Sequence, residues 1–203
     1  MTRSQAERYR DRYKTGRRAR TDQRERAALR EVLNGIGRIP IALDLPCGTG
    51  RLSPVLAEAS DRVILADSSP VMLQIAREEL PHLAAEHLLT NAENIELADE
   101  SVYLIFCHRF LPHINDLSLR KRIVGELRRV TRRFVLLSYY PPGFRSRVRW
   151  IIRCLLQCTH RRDQLATEHQ FVDEISVCGL RLVKRQVLRT FPAAAFFLFE
   201  REL

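Results

Sequence analysis

Asp44, Gly48, Gly50 and Asp67 are the residues whose types and spacing bear most directly on chemistry. A short apolar run, Ile41 to Leu45, contains Asp44 and breaks into Pro46-Cys47-Gly48-Thr49-Gly50. A second run, Arg62-Val-Ile-Leu-Ala-Asp67, ends in a carboxylate seventeen residues after Gly50. Glycines in such a turn let the backbone come close to a ligand, and a carboxylate at the next strand end can accept hydrogen bonds from a ribose diol. The chemistry this serves is capture of a nucleoside at the carboxyl end of a parallel sheet. A dinucleotide fingerprint, G-x-G-x-x-G, needs a third glycine so that a helix can pack closely over a pyrophosphate. Here Gly50 is followed by Arg51, Leu52 and Ser53, so that glycine is missing.

The elements that must position these residues follow from periodicity. Strands are expected at Ile41–Leu45, Arg62–Asp67, Glu86–Asn91, Val102–His108 and Phe134–Tyr140, with helices over Arg51–Ala59, from Ser69-Pro70 onward and over Leu117–Thr131. In the last helix Leu119, Ile123, Val124 and Leu127 repeat at helical spacing. Right-handed crossovers make these five strands parallel. A helix over Gln170–Cys178 and two strands, Leu180–Leu188 and Ala194–Phe199, around a turn near Phe191-Pro192 complete the pattern. The expected fold is α/β: a Rossmann-like three-layer arrangement with a mostly parallel seven-stranded sheet ending in an antiparallel hairpin. Residues 1–38 read as a basic lead-in with a helix over 22–35, where Ala28, Leu29, Val32 and Leu33 form a stripe. Residues 39–203 read as the domain proper.

Composition narrows the class. The 203 residues suit one domain, and no apolar run reaches the roughly 18 residues of a membrane span. No secretory signal is visible, and five scattered cysteines suit a reduced, cytoplasmic protein. The net charge of +10 invites nucleic acid or an anionic membrane as partners. The basic residues concentrate in 3–30 and 145–162. The second stretch pairs arginines with Trp150, Ile151, Ile152 and Leu155, which suits a lid helix, peripheral contact with a membrane or, less well, nucleic acid. No metal site is expected, since Cys154, Cys158 and His160 do not have a zinc spacing.

Residues 41–139 resemble the class I S-adenosylmethionine-dependent methyltransferases, in particular the small-molecule branch that includes quinone-biosynthesis enzymes. S-adenosylmethionine has no pyrophosphate, which agrees with the missing third glycine. Asp44 and Cys47-Gly48-Thr49-Gly50 match the family's first motif, and Asp67 falls on its ribose-binding acid. Ser68 and Met72 fit the stretch that follows, and Asn91-Ala92-Glu93 sits where the family contacts adenine. Pro46 replaces the motif's first glycine, so any contact from residue 46 must use its carbonyl or ring.

The resemblance further places Cys107, His108 and Arg109, at the end of strand four, near the methyl-donor sulfonium. It implies S-adenosylmethionine as cofactor and a small-molecule or lipid-like acceptor. An RNA or nucleic-acid methyltransferase, or a cofactor-binding partner protein without catalysis, are the alternatives. His108 and His113 are the candidate general bases, and Tyr139 and Tyr140 can orient an acceptor. In the family a segment before strand one folds over the cofactor, so Tyr9, Tyr13, Arg17 and Arg18 are candidates there. Arg18 is expected to pair with the methionine carboxylate.

Overall fold

The computed structural model describes residues 2–140, 167–188 and 194–202. Two helices come first, α1 (Arg3–Asp11) and α2 (Gly16–Asn34). Then β1 (Ile39–Asp44), α3 (Ser53–Ala59), β2 (Ser60–Asp67), α4 (Pro70–Glu79) and β3 (Ala85–Leu89) alternate. After β4 (Val102–Cys107) come a short 3-10 turn (Leu111–His113), α5 (Leu117–Val130) and β5 (Thr131–Tyr139). The last described elements are α6 (Glu168–Ser176), β6 (Leu180–Val187) and β7 (Ala195–Arg201).

The seven strands form one sheet in the order β3-β2-β1-β4-β5-β7-β6. The first five are parallel, and β7 runs antiparallel to both β5 and β6. Chain order reverses between β1 and β4, the position at which open α/β sheets leave a crevice beyond their strand ends.

Alternation along the strands divides the core into two layers. Leu104 and Phe106 of β4, Phe134 and Leu136 of β5 and Phe196 of β7 pack with Leu29, Leu33, Val55 and Leu73 of α2, α3 and α4. Ile105 and Cys107, Val135, Leu137 and Tyr139, and Phe197 and Phe199 pack with Ile123 and Leu127 of α5 and Phe171 of α6. Each such fully buried Leu or Phe contributes roughly 1.5–3 kcal/mol. The two layers matter for the site, because a residue's parity decides which side of the sheet it serves.

Helix starts follow local chemistry. Pro70 occupies the first turn of α4, where its missing N–H costs nothing, and Ser69 Oγ accepts from Met72 N at 3.4 Å. Asp116 caps α5 by accepting from Ser118 N and Leu119 N. The lead-in differs from expectation: α2 starts at Gly16 rather than residue 22, and α1 is an additional helix. A capping box between Thr2 and Gln5 starts α1, and Ala6 anchors it against Met72 and Ile75 of α4. The basic stretch 145–162, with Trp150, Cys154, Cys158 and His160, lies outside the described residues, as does the turn near Phe191-Pro192. Among the described residues no helix is long and apolar enough to cross a membrane.

Candidate cofactor site

A cleft of about 670 Å³ opens at the carboxyl ends of β1, β2 and β4, within the range that holds a nucleoside-sized ligand. Its floor is the turn after β1. Leu45 N donates to Phe106 O at 3.0 Å and Cys47 N to Ala66 O at 2.8 Å, which ties the turn to both neighbouring strands. The Leu45–Pro46 peptide is cis, and Pro46, Cys47, Gly48 and Thr49 line the cleft. Gly48 has φ +57°, and its N–H donates to Asp67 Oδ2 at 3.0 Å. Ser69 N donates to Asp67 Oδ1 at 2.8 Å. Each Asp67 oxygen therefore keeps acceptor capacity, which two ribose hydroxyls would use. Ser68 and Met72 line the same wall.

Asp44 sits beneath the turn at 3% exposure, and Ser53 Oγ donates to its Oδ2 at 2.6 Å. Burial pushes its carboxyl up to about 7; the Ser53 hydrogen bond opposes the shift and the Asp67 charge adds to it. Burial also raises Asp67, against the backbone N–H groups of Ser69, Gly48 and Ser68. The two carboxyls share the cleft with the guanidiniums of Arg51 and Arg109.

The lead-in closes one side. Tyr9 lines the cleft, and a Cβ placed on Gly48 would lie 3.9 Å from its Cε1. Arg3 pairs with Glu78 at 2.8 Å and Arg10 with Glu79 at 2.9 Å, both along α4. Deeper in, Glu25 of α2 is fully buried. Its carboxylate accepts from Arg51 Nη2, Arg109 Nη2 and Tyr140 Oη, each at 2.6 Å. Arg51 also pairs with Asp22 and lies over the Tyr13 ring at 4.2 Å. Arg109 donates to Tyr13 Oη at 2.7 Å and lies over the Tyr140 ring at 4.3 Å. Its φ of +53° is a cost the surrounding contacts must over-determine.

His108 lies beside this cluster, stacked on Phe106 at 5.6 Å. Its Nε2 is 3.2 Å from Arg51 Nη2 and 3.6 Å from Glu25 Oε2. Burial pushes the imidazole down to about 4; Glu25 opposes this and the two guanidiniums add to it. For Glu25, burial is the largest influence and would raise it, yet His108, Arg51 and Arg109 together hold it well below the usual carboxylate range. A neutral imidazole supplies no charge, so the arginines keep Glu25 ionised.

Of the residues singled out by sequence, Tyr9, Asp44, Pro46, Cys47, Gly48, Thr49, Asp67, Ser68, Met72, His108 and Arg109 line the cleft. The others lie off it, each for a physical reason. Cys107 and Tyr139 have the opposite strand parity and point into the α5/α6 layer, where Tyr139 packs 5.2 Å from Phe171. His113 is exposed on the 3-10 turn, away from the cleft wall. Arg18 is exposed on α2 and does not line the cleft; Arg51 and Arg109 are the guanidiniums on the wall. Gly50, with φ +73°, serves packing: a Cβ there would be 2.7 Å from Leu80 Cδ1 of the segment closing α4. Asn91 and Ala92 form a turn beyond β3, tied to the site through Thr90 N donating to Asp67 O at 3.2 Å. Glu25, Arg51 and Tyr9's place on the wall were the contributions sequence reasoning missed or left open. The signal for Glu25 was present, since residue 25 extends the buried series 28, 29, 32 and 33 back by one helical step.

Comparison with known proteins gives this arrangement a context. Residues 42–133 match the family model described as "Methyltransferase domain". A ubiquinone biosynthesis O-methyltransferase of Cereibacter sphaeroides is 27% identical over 169 residues, covering 79% of this chain and 68% of that protein. A malonyl-[acyl-carrier protein] O-methyltransferase of Yersinia pestis is 35% identical over 92 residues, 45% of this chain and 33% of that protein. Among solved structures, a magnesium protoporphyrin IX methyltransferase from Synechocystis with bound SAH superposes with a TM-score of 0.72 at 16% identity, over 98% of this chain and 95% of that one. The N-methyltransferase NodS from Bradyrhizobium japonicum gives 0.71 at 13% identity, over 90% and 97%. At such identities the two structures speak for the fold.

Proposed function

We propose that this chain, whose residues 42–133 match a methyltransferase domain, is a class I S-adenosylmethionine-dependent methyltransferase that transfers the methyl group of S-adenosylmethionine to a small-molecule or lipid-like acceptor. The observation that carries the reading is the Gly48–Asp67 contact, which holds a carboxylate with spare acceptor capacity at the edge of a nucleoside-sized cleft. The residues present fit this ligand. Asp67 would take the ribose diol. Cys47, Gly48 and Thr49 would pass beneath the ligand, and Asp44, poised near neutrality, would favour its positive charge. When bound, the sulfonium supplies an activated methyl group and a neutral thioether leaving group. The chain then supplies alignment and exclusion of water, with Tyr9 and the α1–α2 segment as cover.

The acceptor class is supported by the two relatives named above, which are small-molecule and carrier-bound O-methyltransferases by name. We place the protein in the cytoplasm. A lipid-like acceptor would be met at an anionic membrane surface through 145–162. Trp150, the single tryptophan, should then shift its emission to the blue with anionic vesicles, and unchanged emission would remove that element. The reading as a whole is tested by incubating the protein with methyl-labelled S-adenosylmethionine and lipid, small-molecule and RNA fractions of a cell extract. Label should enter the lipid or small-molecule fraction. Label confined to RNA would replace this reading with a nucleic-acid one, and no transfer at all would leave a binding protein.

A further inference from the structure

We infer that the arginines around the α1–α2 turn form a docking surface for an anionic lipid bilayer at the mouth of the cleft. The observation is a positive charge that the chain does not balance internally. Residues 8–20 hold seven basic residues and one acid, Asp11. Arg10 pairs with Asp11 and Glu79, and Lys14 with Asp11. Arg8, Arg12, Arg17, Arg18 and Arg20 are exposed and form no ion pair among the described residues. Carboxylates on the adjoining helices are already engaged, Glu7 and Glu78 by Arg3, and Asp22 by Arg26 and Arg51. The stretch 141–166, outside the described residues, has one acid, Asp163, against six arginines, and 189–193 has no acid, so neither supplies five partners. Residues 8–20 and 141–166 carry net +6 and +5 in a chain whose total is +10, so the rest is close to neutral. The excess is local.

Holding these charges together costs the free protein stability. Arg8 and Arg12 stand four apart on the face of α1 opposite the anchored Ala6, and like charges at that spacing repel. Arg17 and Arg18 occupy the first turn of α2, which contains no acid, and the helix dipole disfavours cations there. A negatively charged surface relieves both effects.

The exposed residues point to the class of partner. Every exposed residue from Thr2 to Arg24 is polar or glycine. A specific protein interface centres on a buried aromatic or aliphatic anchor, and single-stranded nucleic acid stacks its bases on aromatic side chains. Tyr9 and Tyr13 are only partly exposed, and their rings are engaged with Arg12, Arg51 and Arg109. Lipid headgroups require only positive charge close to their surface. Arg12 lies 5.7 Å over the ring of Tyr9, which lines the cleft, so the patch borders the opening. Docking turns that opening toward the bilayer. A nucleic-acid duplex also answers to charge alone; the choice of a bilayer over it rests on the lipid-like acceptor of the proposed function. The surface is separate from 145–162 and fails or holds independently of it.

The test is cosedimentation of the full chain, without cofactor, with vesicles. Equimolar phosphatidylglycerol and phosphatidylcholine should bind it, and phosphatidylcholine alone should not. Binding should weaken with salt as the screening length falls from about 10 Å at 0.1 M to about 3 Å at 1 M. Arg8→Gln/Arg12→Gln/Arg20→Gln, with 145–162 intact, should lower the vesicle partition coefficient about fivefold for each charge removed. The matching lysine triple should bind like the wild type, because a lipid surface reads charge rather than guanidinium geometry. Arg17→Glu/Arg18→Glu should also lose binding, with no fall in thermal midpoint, since acids suit the first turn of a helix. No binding of the wild type to anionic vesicles, equal binding to neutral ones, or binding retained by the glutamine triple and the glutamate pair overturns the inference. So does a preference for duplex RNA or polyglutamate over the vesicles at equal concentration of negative charge. With no cofactor present, none of these outcomes touches the methyl-transfer reading, which the labelling assay tests on its own.

Discussion

Asp44→Asn removes an ionisable group whose native pKa lies at about 7 rather than the ordinary 3.8. Between those values the folded protein holds a proton that the unfolded chain has released. Because the native pKa is raised, the wild type loses stability as pH climbs through this window, by about 1.36 kcal/mol per unit. From pH 5 to pH 7 that is two units, or roughly 3 kcal/mol, and no further loss follows once Asp44 is ionised in both states. Asn keeps an oxygen to accept from Ser53 Oγ, so the 2.6 Å contact can persist while the titration is gone. The variant should therefore gain on the wild type by roughly 3 kcal/mol between pH 5 and pH 8. That is about 6–12 °C in Tm at the roughly 2–4 °C per kcal/mol of a chain this size. Thermal unfolding by circular dichroism at the two pH values, without ligand, reads this directly. A Tm difference between variant and wild type that is the same at both pH values would refute the account of Asp44.

Two further changes probe the scaffold. Gly50→Ala places a methyl 2.7 Å from Leu80 Cδ1 at φ +73°, so urea unfolding should show a loss of about 1–3 kcal/mol; an unchanged midpoint would remove the packing role given to Gly50. Glu25→Ala leaves the two guanidiniums of Arg51 and Arg109 without their buried partner and should cost about 3–5 kcal/mol. Because the native Glu25 pKa is depressed, its ionisation stabilises the wild type above the ordinary 4.5 and is lost as pH falls below it, so the gap between the two proteins should narrow in acid; a gap that stays constant would contradict the buried carboxylate cluster.

Much of the architecture was legible because the informative signals are local. The apolar runs that became β1, β2, β4 and β5 are bounded by turn residues, and α5 shows its apolar stripe and its Asp116 cap in sequence. The turn from Pro46 to Thr49, with Asp67 opposite, was legible because chemistry constrains both residue type and spacing. What escaped depends on three-dimensional context. Helix α1 is almost wholly polar and is anchored by Ala6 and by ion pairs to Glu78 and Glu79, partners some seventy residues away. The misplacement of Cys107 and Tyr139 shows a second limit: a residue can stand at the right strand end and face the wrong layer. Strand parity was available from Phe106 and His108, which share the cleft side. Arg51 was passed over because sequence cannot show that its guanidinium turns back to meet Asp22 and Glu25.

The central claim is that this cleft holds S-adenosylmethionine by its ribose on Asp67. Calorimetric titration of the wild type and Asp67→Ala with S-adenosylmethionine, alongside NADH, addresses it most directly. Loss of two hydrogen bonds to a charged acceptor, roughly 1.5–3 kcal/mol each, should lower the variant's affinity at least tenfold while NADH binds neither protein. Equal affinity of the two proteins for S-adenosylmethionine, or binding of NADH by the wild type, would contradict the claim.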